Sequence, residues 1–301
     1  METFVPLYIS NECDSYCAMC GFKHSNTHLQ RRIATIEEIK EQLEIILNYE
    51  KISAVCILTG ELFSSSSRMN NLQLVCETMN MAISFGFEKI FFNIGSLSTS
   101  EINYICSVIK EPSKIVLSLF QETYDPDAYR QFFGTNPDKS AKANYQNRLD
   151  TIDRWLSAGF SSIDIGILLG FKPLGNDVSE IISHALTYCK AGIEVYISTP
   201  RIKNGQISDA EYAEILKKIY RSVPDAKLII TTREKIEFIN SIIDYISVVS
   251  PGSSDICPYT RGQYISNNSK TSQFVIDEKR MRPFDVLTRI NVATPIRYFN
   301  G

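Results

Sequence analysis

The sequence predicts an α/β fold, namely a (β/α)8-type barrel of parallel strands that need not close completely. Short β-branched or aromatic runs alternate with amphipathic stretches along nearly the whole chain. Eight such runs can be counted, and eight parallel strands are the number that closes a barrel of this type. An open doubly wound sheet is the alternative architecture, but it requires a reversal of strand order that cannot be located in the sequence.

The strands are predicted where β-branched and aromatic residues lie between turn-forming residues. They cover residues 4–10, 54–59, 89–95, 114–119, 162–168, 194–198, 227–231 and 245–250. Helical patterns lie between them at residues 36–49, 71–85, 145–158 and 209–221, where apolar residues recur on one helix face. Because no linker or internal repeat divides the chain, residues 1–301 are expected to form one domain, with an irregular segment from about residue 251.

The composition excludes several classes of protein. Apolar residues make up 44% of the 301 positions, which is enough for a sizeable core and argues against disorder. The net charge is −3 and the 31 Lys and Arg residues are scattered, so no nucleic-acid partner is expected. No apolar run approaches the roughly 18–20 residues that span a bilayer, and the N-terminus does not resemble a signal peptide. We therefore expect no membrane partner and a cytoplasmic location.

Three cysteines, Cys13, Cys17 and Cys20, follow the first predicted strand with C-x3-C-x2-C spacing. Three thiolates can hold three corners of a [4Fe–4S] cluster and leave the fourth iron open to a small chelating molecule. The methionyl end of S-adenosylmethionine offers an amine and a carboxylate for such chelation. The alternative is a zinc site completed by His24 or His28, although a structural zinc site usually has a second pair of ligands and none follows here.

The sequence around these cysteines resembles the radical S-adenosylmethionine superfamily, in its aromatic amino-acid lyase branch. That branch includes 2-iminoacetate synthase, the tyrosine lyase that matures [FeFe]-hydrogenase and 3-methyl-2-indolic acid synthase. The resemblance rests on Pro-Leu-Tyr-Ile-Ser-Asn-Glu-Cys at 6–13, Cys-Gly-Phe at 20–22 and Leu-Phe-Gln-Glu-Thr-Tyr at 119–124. It continues in the order of the family through the short matches at 148–149, 158–159, 166–170, 200–201, 232–234 and 250–253.

The resemblance implies a [4Fe–4S] cluster and S-adenosyl-L-methionine as cofactors. It places Thr59, Gly60 and Glu61 where the family binds the methionyl amine, with Thr59 in place of a glycine; a turn with a capping Glu is the alternative. Arg148 would bind the methionyl carboxylate through its guanidinium fork, or would otherwise be a surface residue. Further cofactor contacts are expected, from ribose to adenine, at Gln121, Glu122, Leu168 and Phe22.

Two residues at the ends of the last predicted strands are candidates for the substrate site. Arg233 and Ser250 would both reach the mouth of a barrel, and an arginine with a hydroxyl suits an α-carboxylate. In the lyase branch, matching positions fix the carboxylate of the substrate. Glu122 could instead hold a substrate amine, and Arg201 is a weaker candidate for the same cavity.

The resemblance implies an enzyme that generates a 5′-deoxyadenosyl radical, abstracts hydrogen from an amino acid of the tyrosine or tryptophan type and fragments a carbon–carbon bond. Two alternatives stay open: a mutase or sulfur-inserting enzyme of the biotin-synthase-like branch, and a non-catalytic zinc- or amino-acid-binding protein. A low-potential electron donor such as flavodoxin or ferredoxin is expected. Family members usually carry an N-terminal helical extension, and its absence before residue 4 leaves room for a partner chain or a dimer.

Overall fold

A computed structural model describes residues 1–63, 65–202, 207–231, 233–262, 270–273 and 281–301. In this part of the chain nine parallel strands form one sheet with the order β1-β9-β8-β7-β6-β5-β4-β3-β2. The strands are β1 Glu2–Thr3, β2 Val5–Tyr8, β3 Ala54–Leu58, β4 Lys89–Asn93, β5 Ile115–Ser118, β6 Ser162–Gly166, β7 Glu194–Ser198, β8 Lys227–Thr231 and β9 Val248–Ser250. The helices are α1 Ile36–Asn48, α2 Ser66–Phe85, α3 Thr99–Val108, α4 Pro126–Phe133, α5 Tyr145–Ser157, α6 Asp177–Lys190, α7 Asp209–Ser222, α8 Ile236–Ser241 and α9 Pro283–Leu287.

The sheet curls into a nearly closed barrel because its two edge strands belong to one N-terminal segment. Only Phe4 separates β1, which pairs with β9, from β2, which pairs with β3. One seam stays unsealed beside β2, where Tyr8 forms a single bridge with Ile256 beyond the end of β9. The predicted barrel is confirmed. The doubly wound alternative is wrong, because neighbouring strands follow one another in chain order around the barrel.

Several strands end earlier than the sequence predicts. The strand predicted at 89–95 ends at Asn93, and the one predicted at 162–168 ends at Gly166. The residues that follow turn away from the sheet to form the loops at its carboxyl end, as Gly95 does with a φ of 86°. Helix α2 begins earlier than predicted, at Ser66, because the Ser65 side chain accepts a hydrogen bond from the Arg68 backbone N–H and caps the helix.

The main core lies between the barrel and its helices, where strand residues such as Ile57, Phe92 and Ile165 are fully or almost fully buried. A smaller apolar cluster fills the lower barrel interior, where Phe4 stacks on Phe91 with ring centroids 4.3 Å apart. None of the helices in the described ranges is long and apolar enough to cross a membrane. The carboxyl end of the barrel is left open above this cluster.

An ionic network closes the amino end of the barrel. The Lys227 Nζ lies 2.8 Å from Glu2 and 2.7 Å from Glu194, and Lys89 also pairs with Glu194. Burial alone would raise the pKa of Glu194, but hydrogen bonds from the two lysines outweigh it and lower the pKa to about 2. The folded state therefore favours the ionised carboxylate of Glu194.

This network makes a testable contribution to stability. Because the pKa of Glu194 is depressed on folding, its contribution is fully present above the ordinary value near 4.5 and is lost as the pH falls towards about 2. We expect Glu194→Gln to lower the free energy of unfolding at pH 7 by about 1–2 kcal/mol, less than a fully buried pair because Glu194 is partly exposed. Urea unfolding of both proteins at pH 7 and at pH 3 measures this loss of unfolding free energy. The difference between the parent and Glu194→Gln should be smaller at pH 3. Glu214→Gln, which breaks an exposed pair, is the control and should change nothing measurable.

Candidate active site

A cavity of about 250 Å³ opens at the carboxyl ends of the strands. This is the end at which barrel enzymes build their active sites. Twelve of the residues expected from the sequence line it: Cys13, Cys17, Cys20, Phe22, Thr59, Gly60, Glu61, Glu122, Arg148, Leu168, Arg233 and Ser250. They come from loops that are far apart in sequence, so the barrel itself brings them together.

The three cysteines lie on the loop between β2 and α1. Their thiols are free, and all three line the cavity. The Cys13 Sγ donates a hydrogen bond of 3.6 Å to the Glu61 carbonyl oxygen, and the Gln273 side-chain amide donates one of 3.3 Å to the Cys20 Sγ. The cysteine loop is thus held against both the end of β3 and the C-terminal part of the chain.

Two further contacts fix the cysteine loop. Gly60 follows β3, and a Cβ atom there would lie 2.3 Å from the Glu12 carbonyl oxygen and 2.5 Å from the Cys13 Cβ, so only glycine allows this approach. On the other side, the backbone N–H groups of Ala18 and Lys142 bond to Phe132 and to the Ser15 hydroxyl. The loop between α4 and α5, which carries Lys142, therefore forms a wall of the site.

The thiols lie in a dry environment. Burial raises the pKa of Cys13 to about 11 and that of Cys17 well above its ordinary value, and the nearby Lys142 ammonium opposes the second shift. Without a metal both groups are thiols at neutral pH. Metal binding would have to displace their protons.

Beside the cysteines, Glu61 and Arg148 form a buried ion pair. The Arg148 guanidinium lies 2.9 Å from a Glu61 carboxylate oxygen, and its Nε donates to the Phe120 carbonyl oxygen at 2.5 Å. The second Glu61 oxygen accepts the Ser96 backbone N–H at 2.9 Å. An α-amino acid carries an ammonium and a carboxylate, and this pair presents the complementary charges. A bound zwitterion can therefore replace their mutual contact with one of its own.

A second buried pair joins Glu122 to Lys142, which lies on the loop before α5. Glu122 has a φ of 71°, in the left-handed region that residues other than glycine rarely adopt. Its backbone is held there because its N–H donates to Gly166 and its carbonyl oxygen accepts from Leu168. Strain of this kind is concentrated at functional sites, which supports the position of Glu122 in the cavity wall.

Arg233 and Ser250 lie on neighbouring sides of the cavity. Ser250 ends β9 and is in register with Thr231, the last residue of β8, and Arg233 follows two residues later. Burial lowers the pKa of Arg233, opposed by nearby Tyr8 and by other acidic groups. An arginine stays protonated under these conditions, so the cavity holds a guanidinium and a hydroxyl on this side. Thr232, part of the motif that suggested Arg233, lies outside the described residues.

Two expected residues do not line the cavity. Arg201 instead pairs with Glu234, to which its Nε and Nη2 donate at 2.9 and 2.6 Å, and with Asp209. This bidentate pair holds the guanidinium near the Tyr212 and Phe238 rings, and Arg201 does not line the cavity. Gln121 is buried, and its side-chain nitrogen has no hydrogen-bond partner among the described residues.

The geometry does not favour the zinc alternative. A structural zinc ion needs four ligands around one point. Among the described residues, no three His, Cys, Asp or Glu side chains are grouped to hold a single ion. His24 and His28 are exposed and do not line the cavity.

Comparisons with known proteins agree with this geometry. The chain is 25% identical over 303 aligned positions to the 2-iminoacetate synthase of Salmonella typhimurium, covering 96% of this chain and 74% of that enzyme. The 2-iminoacetate synthase of Escherichia coli is 24% identical and covers 90% of this chain. These relatives are homologues of the chain, and they agree with its resemblance to the aromatic amino-acid lyase branch of the radical S-adenosylmethionine superfamily.

Solved structures with a similar fold include a hydrogenase maturase and methylornithine synthase. The [FeFe]-hydrogenase maturase HydG of Carboxydothermus hydrogenoformans superposes with a TM-score of 0.80 at 25% identity over 96% of this chain. The present chain spans 66% of that maturase. Methylornithine synthase shares the fold, with a TM-score of 0.69 at 17% identity. No family model matches the chain.

Two charged residues of the cavity were not singled out from the sequence. Lys142 lies in the loop between α4 and α5, whose sequence has no periodic pattern. Nothing in the sequence therefore indicated its burial against Glu122. Asp164 lies in β6, where Ser162, Asp164 and Gly166 alternate with isoleucines. That alternation was the available signal, because it places polar residues on the inner face of a barrel strand.

Proposed function

We propose that the chain is a radical S-adenosylmethionine lyase that abstracts hydrogen from an aromatic amino acid and fragments a carbon–carbon bond. The observation that carries the proposal is that one cavity holds three free thiols from a single loop, the buried Glu61–Arg148 pair and the Arg233–Ser250 side. The thiols would hold a cluster, and the ion pair would bind the ammonium and carboxylate of one amino acid. Arg233 and Ser250 would bind a second carboxylate. The relatives support the lyase activity, since 2-iminoacetate synthases are among them.

The residues present fit a [4Fe–4S] cluster and S-adenosylmethionine. Cys13, Cys17 and Cys20 would ligate three irons, since they are the cavity's thiols on one loop. Gly60 supports this fit, because its missing side chain lets the cysteine loop reach the strand end. The Glu61–Arg148 pair supports binding of a methionyl group through its ammonium and carboxylate.

When bound, these cofactors supply one electron and the 5′-deoxyadenosyl radical, which is chemistry that belongs to them. The protein binds these cofactors and orients them. Thr59 and Gly60 offer strand-end carbonyl groups to the methionyl ammonium, and Leu168 gives an apolar wall for adenine. Glu122 would bind ribose hydroxyls, and Phe22 would complete the proposed cofactor contacts, whereas Gln121 does not line the cavity and is left out of them.

The protein also limits the access of water to the reacting groups. The Tyr8 ring meets the Phe22 ring edge to face at 5.6 Å, and the Tyr8 hydroxyl donates to Gln273 at 2.7 Å. These contacts join the wall near β2 to the C-terminal part of the chain. A sheltered cavity reduces quenching of a reactive species by solvent.

The proposed partners are a substrate and an electron donor. We propose an aromatic amino-acid substrate, fixed by Arg233 and Ser250, and a low-potential electron donor such as flavodoxin or ferredoxin. All eight cysteines are free, which supports a reducing compartment, here proposed to be the cytoplasm. We propose that residues 1–301 work as one barrel domain.

The proposal is tested by product analysis and by two variants. The reconstituted enzyme with S-adenosylmethionine should form 5′-deoxyadenosine and a side-chain fragment from L-tyrosine or L-tryptophan. Arg233→Ala should weaken substrate binding about ten- to a hundredfold, since it removes a charge-assisted bond of roughly 1.5–3 kcal/mol. Ser250→Ala should cost less, because a neutral hydroxyl contributes roughly 0.5–1.5 kcal/mol. Cofactor affinity should stay unchanged in both variants.

Two results would contradict the proposal. A rearranged amino acid without fragmentation would identify a mutase instead. Equal losses of stability and cofactor turnover in Arg233→Ala, without a selective loss of substrate affinity, would show that Arg233 only supports the loop after β8.

A further inference from the structure

Two charged side chains of the cavity, Lys142 and Asp164, have no role in the proposed function, and Lys142 is already paired with Glu122. Six charged residues line the cavity in the part of the chain that the structure describes: Glu61, Glu122, Lys142, Arg148, Asp164 and Arg233. Five of them lie beyond the strands, in loops or at the start of α5. Asp164 alone lies within a strand, β6, and so projects from the barrel wall at the floor of the cavity.

Hydrogen bonds hold the Asp164 carboxyl in place, but no cationic side chain of the described residues pairs with it. Its two carboxylate oxygens accept hydrogen bonds from the Ser118 hydroxyl of β5 at 2.6 Å and from the Ser198 hydroxyl of β7 at 2.9 Å. All three side chains are almost fully buried. Among the described residues, no lysine or arginine forms an ion pair with Asp164. Two of about four acceptor positions of a carboxylate are therefore used, and the others are available to a donor in the cavity.

The surroundings of Asp164 are apolar. Phe4, Cys56 and Ile229 line the same lower part of the cavity, and Phe4 stacks on Phe91 beneath it. Burial raises the pKa of Asp164 to about 7, although the two serine hydroxyls oppose the shift. A buried carboxyl in an apolar floor suits one neutral donor at the end of an apolar group, since an unmet donor or acceptor there would be costly.

Asp164 lies at a suitable distance from Arg233 and Ser250, the proposed carboxylate site, for an amino-acid side chain to reach it. Ser198 is in register with Ile229, whereas Ser250 is in register with Thr231, two residues further along β8. Two strand residues span about 6–7 Å. An amino acid held by its carboxylate near Ser250 would direct its side chain down the barrel towards Asp164.

We propose that Asp164, positioned by Ser118 and Ser198, is the specificity-determining residue for a substrate side chain that is apolar along its length and ends in a neutral hydrogen-bond donor, as a phenol or an indole does. This inference rests on the proposed amino-acid lyase function and adds the recognition of the distal side-chain end.

Matched substrates test the proposal on the reconstituted enzyme with S-adenosylmethionine. L-Tyrosine and L-phenylalanine differ by one hydroxyl, so the ratio of their dissociation constants isolates that group. At pH 8, above the pKa of about 7, Asp164 is ionised, and the parent enzyme should bind L-tyrosine about ten- to a hundredfold more tightly, as expected for a hydrogen bond to a charged acceptor. In Asp164→Leu the ratio should fall to within about threefold of unity, and in Asp164→Asn, which keeps one acceptor oxygen, it should be intermediate.

Asp177→Asn is the matched control, because Asp177 is also a buried carboxyl bound by a hydroxyl, that of Thr123, but does not line the cavity. It should keep the parent ratio. An unchanged ratio in Asp164→Leu would overturn the role of Asp164 while L-tyrosine cleavage by the parent upheld the lyase function. Tighter binding of L-lysine than of L-tyrosine would overturn the neutral donor. Cofactor cleavage without binding of any aromatic amino acid would instead refute the proposed function itself.

Discussion

Replacing Cys13, Cys17 or Cys20 with alanine should remove most of the bound iron and all cleavage of S-adenosylmethionine. Each substitution leaves two thiols on the loop after β2, and a cluster held by two thiolates is labile. Iron and sulfide analysis after anaerobic reconstitution, together with the assay of 5′-deoxyadenosine, measures both effects. Folding should be little affected, because the loop is also held by the backbone contact of Asp14 with Glu61 at 2.9 Å.

The matched controls are cysteines away from the cavity. Cys76 is buried on α2 and Cys189 is partly buried on α6, and neither lines the cavity. Their alanine variants should retain iron near the parent level. If either proved as necessary for iron as Cys13, the assignment of the ligands to the loop after β2 would be incorrect.

Much of the fold and part of the candidate site followed from the sequence because they depend on local pattern. Strand and helix periodicity located the barrel units, and Glu61 and Ser250 each stand at or just beyond a strand end. In a parallel barrel all such ends meet on one face. That rule alone brings residues nearly 190 positions apart into one cavity, with no knowledge of their contacts.

The parts that were missed depend on contacts between distant segments. Gln273 donates to the Cys20 thiol across 253 residues, and no periodic pattern marks the loop around it. Arg201 follows its strand as expected, yet the carboxylate of Glu234, 33 residues later, draws it away from the cavity. Such partners decide which of two arginines near a barrel mouth faces the cavity. A local sequence pattern does not reveal these distant partners.

Arg148→Ala should have the second large effect, on both stability and cofactor binding. Arg148 and Glu61 are 2.9 Å apart, and their side chains are only 3% and 10% exposed. Removing one partner of a buried pair leaves an uncompensated charge, which typically costs about 3–5 kcal/mol of unfolding free energy. Affinity for S-adenosylmethionine should also fall at least about tenfold through the lost charge-assisted bond. Urea unfolding and equilibrium dialysis with the reconstituted protein measure the two effects.

A double variant separates these two effects. Arg148→Met combined with Glu61→Met removes both charges and fills similar volume, so it should recover most of the stability that Arg148→Ala loses. It should not recover affinity for S-adenosylmethionine, because neither the ammonium nor the carboxylate of the methionyl group then has a charged partner. The pair would thus contribute binding rather than rigidity. Parent-like cofactor affinity in the double variant would mean that Glu61 and Arg148 only hold α5 against the loop after β3, and that the methionyl group binds elsewhere in the cavity.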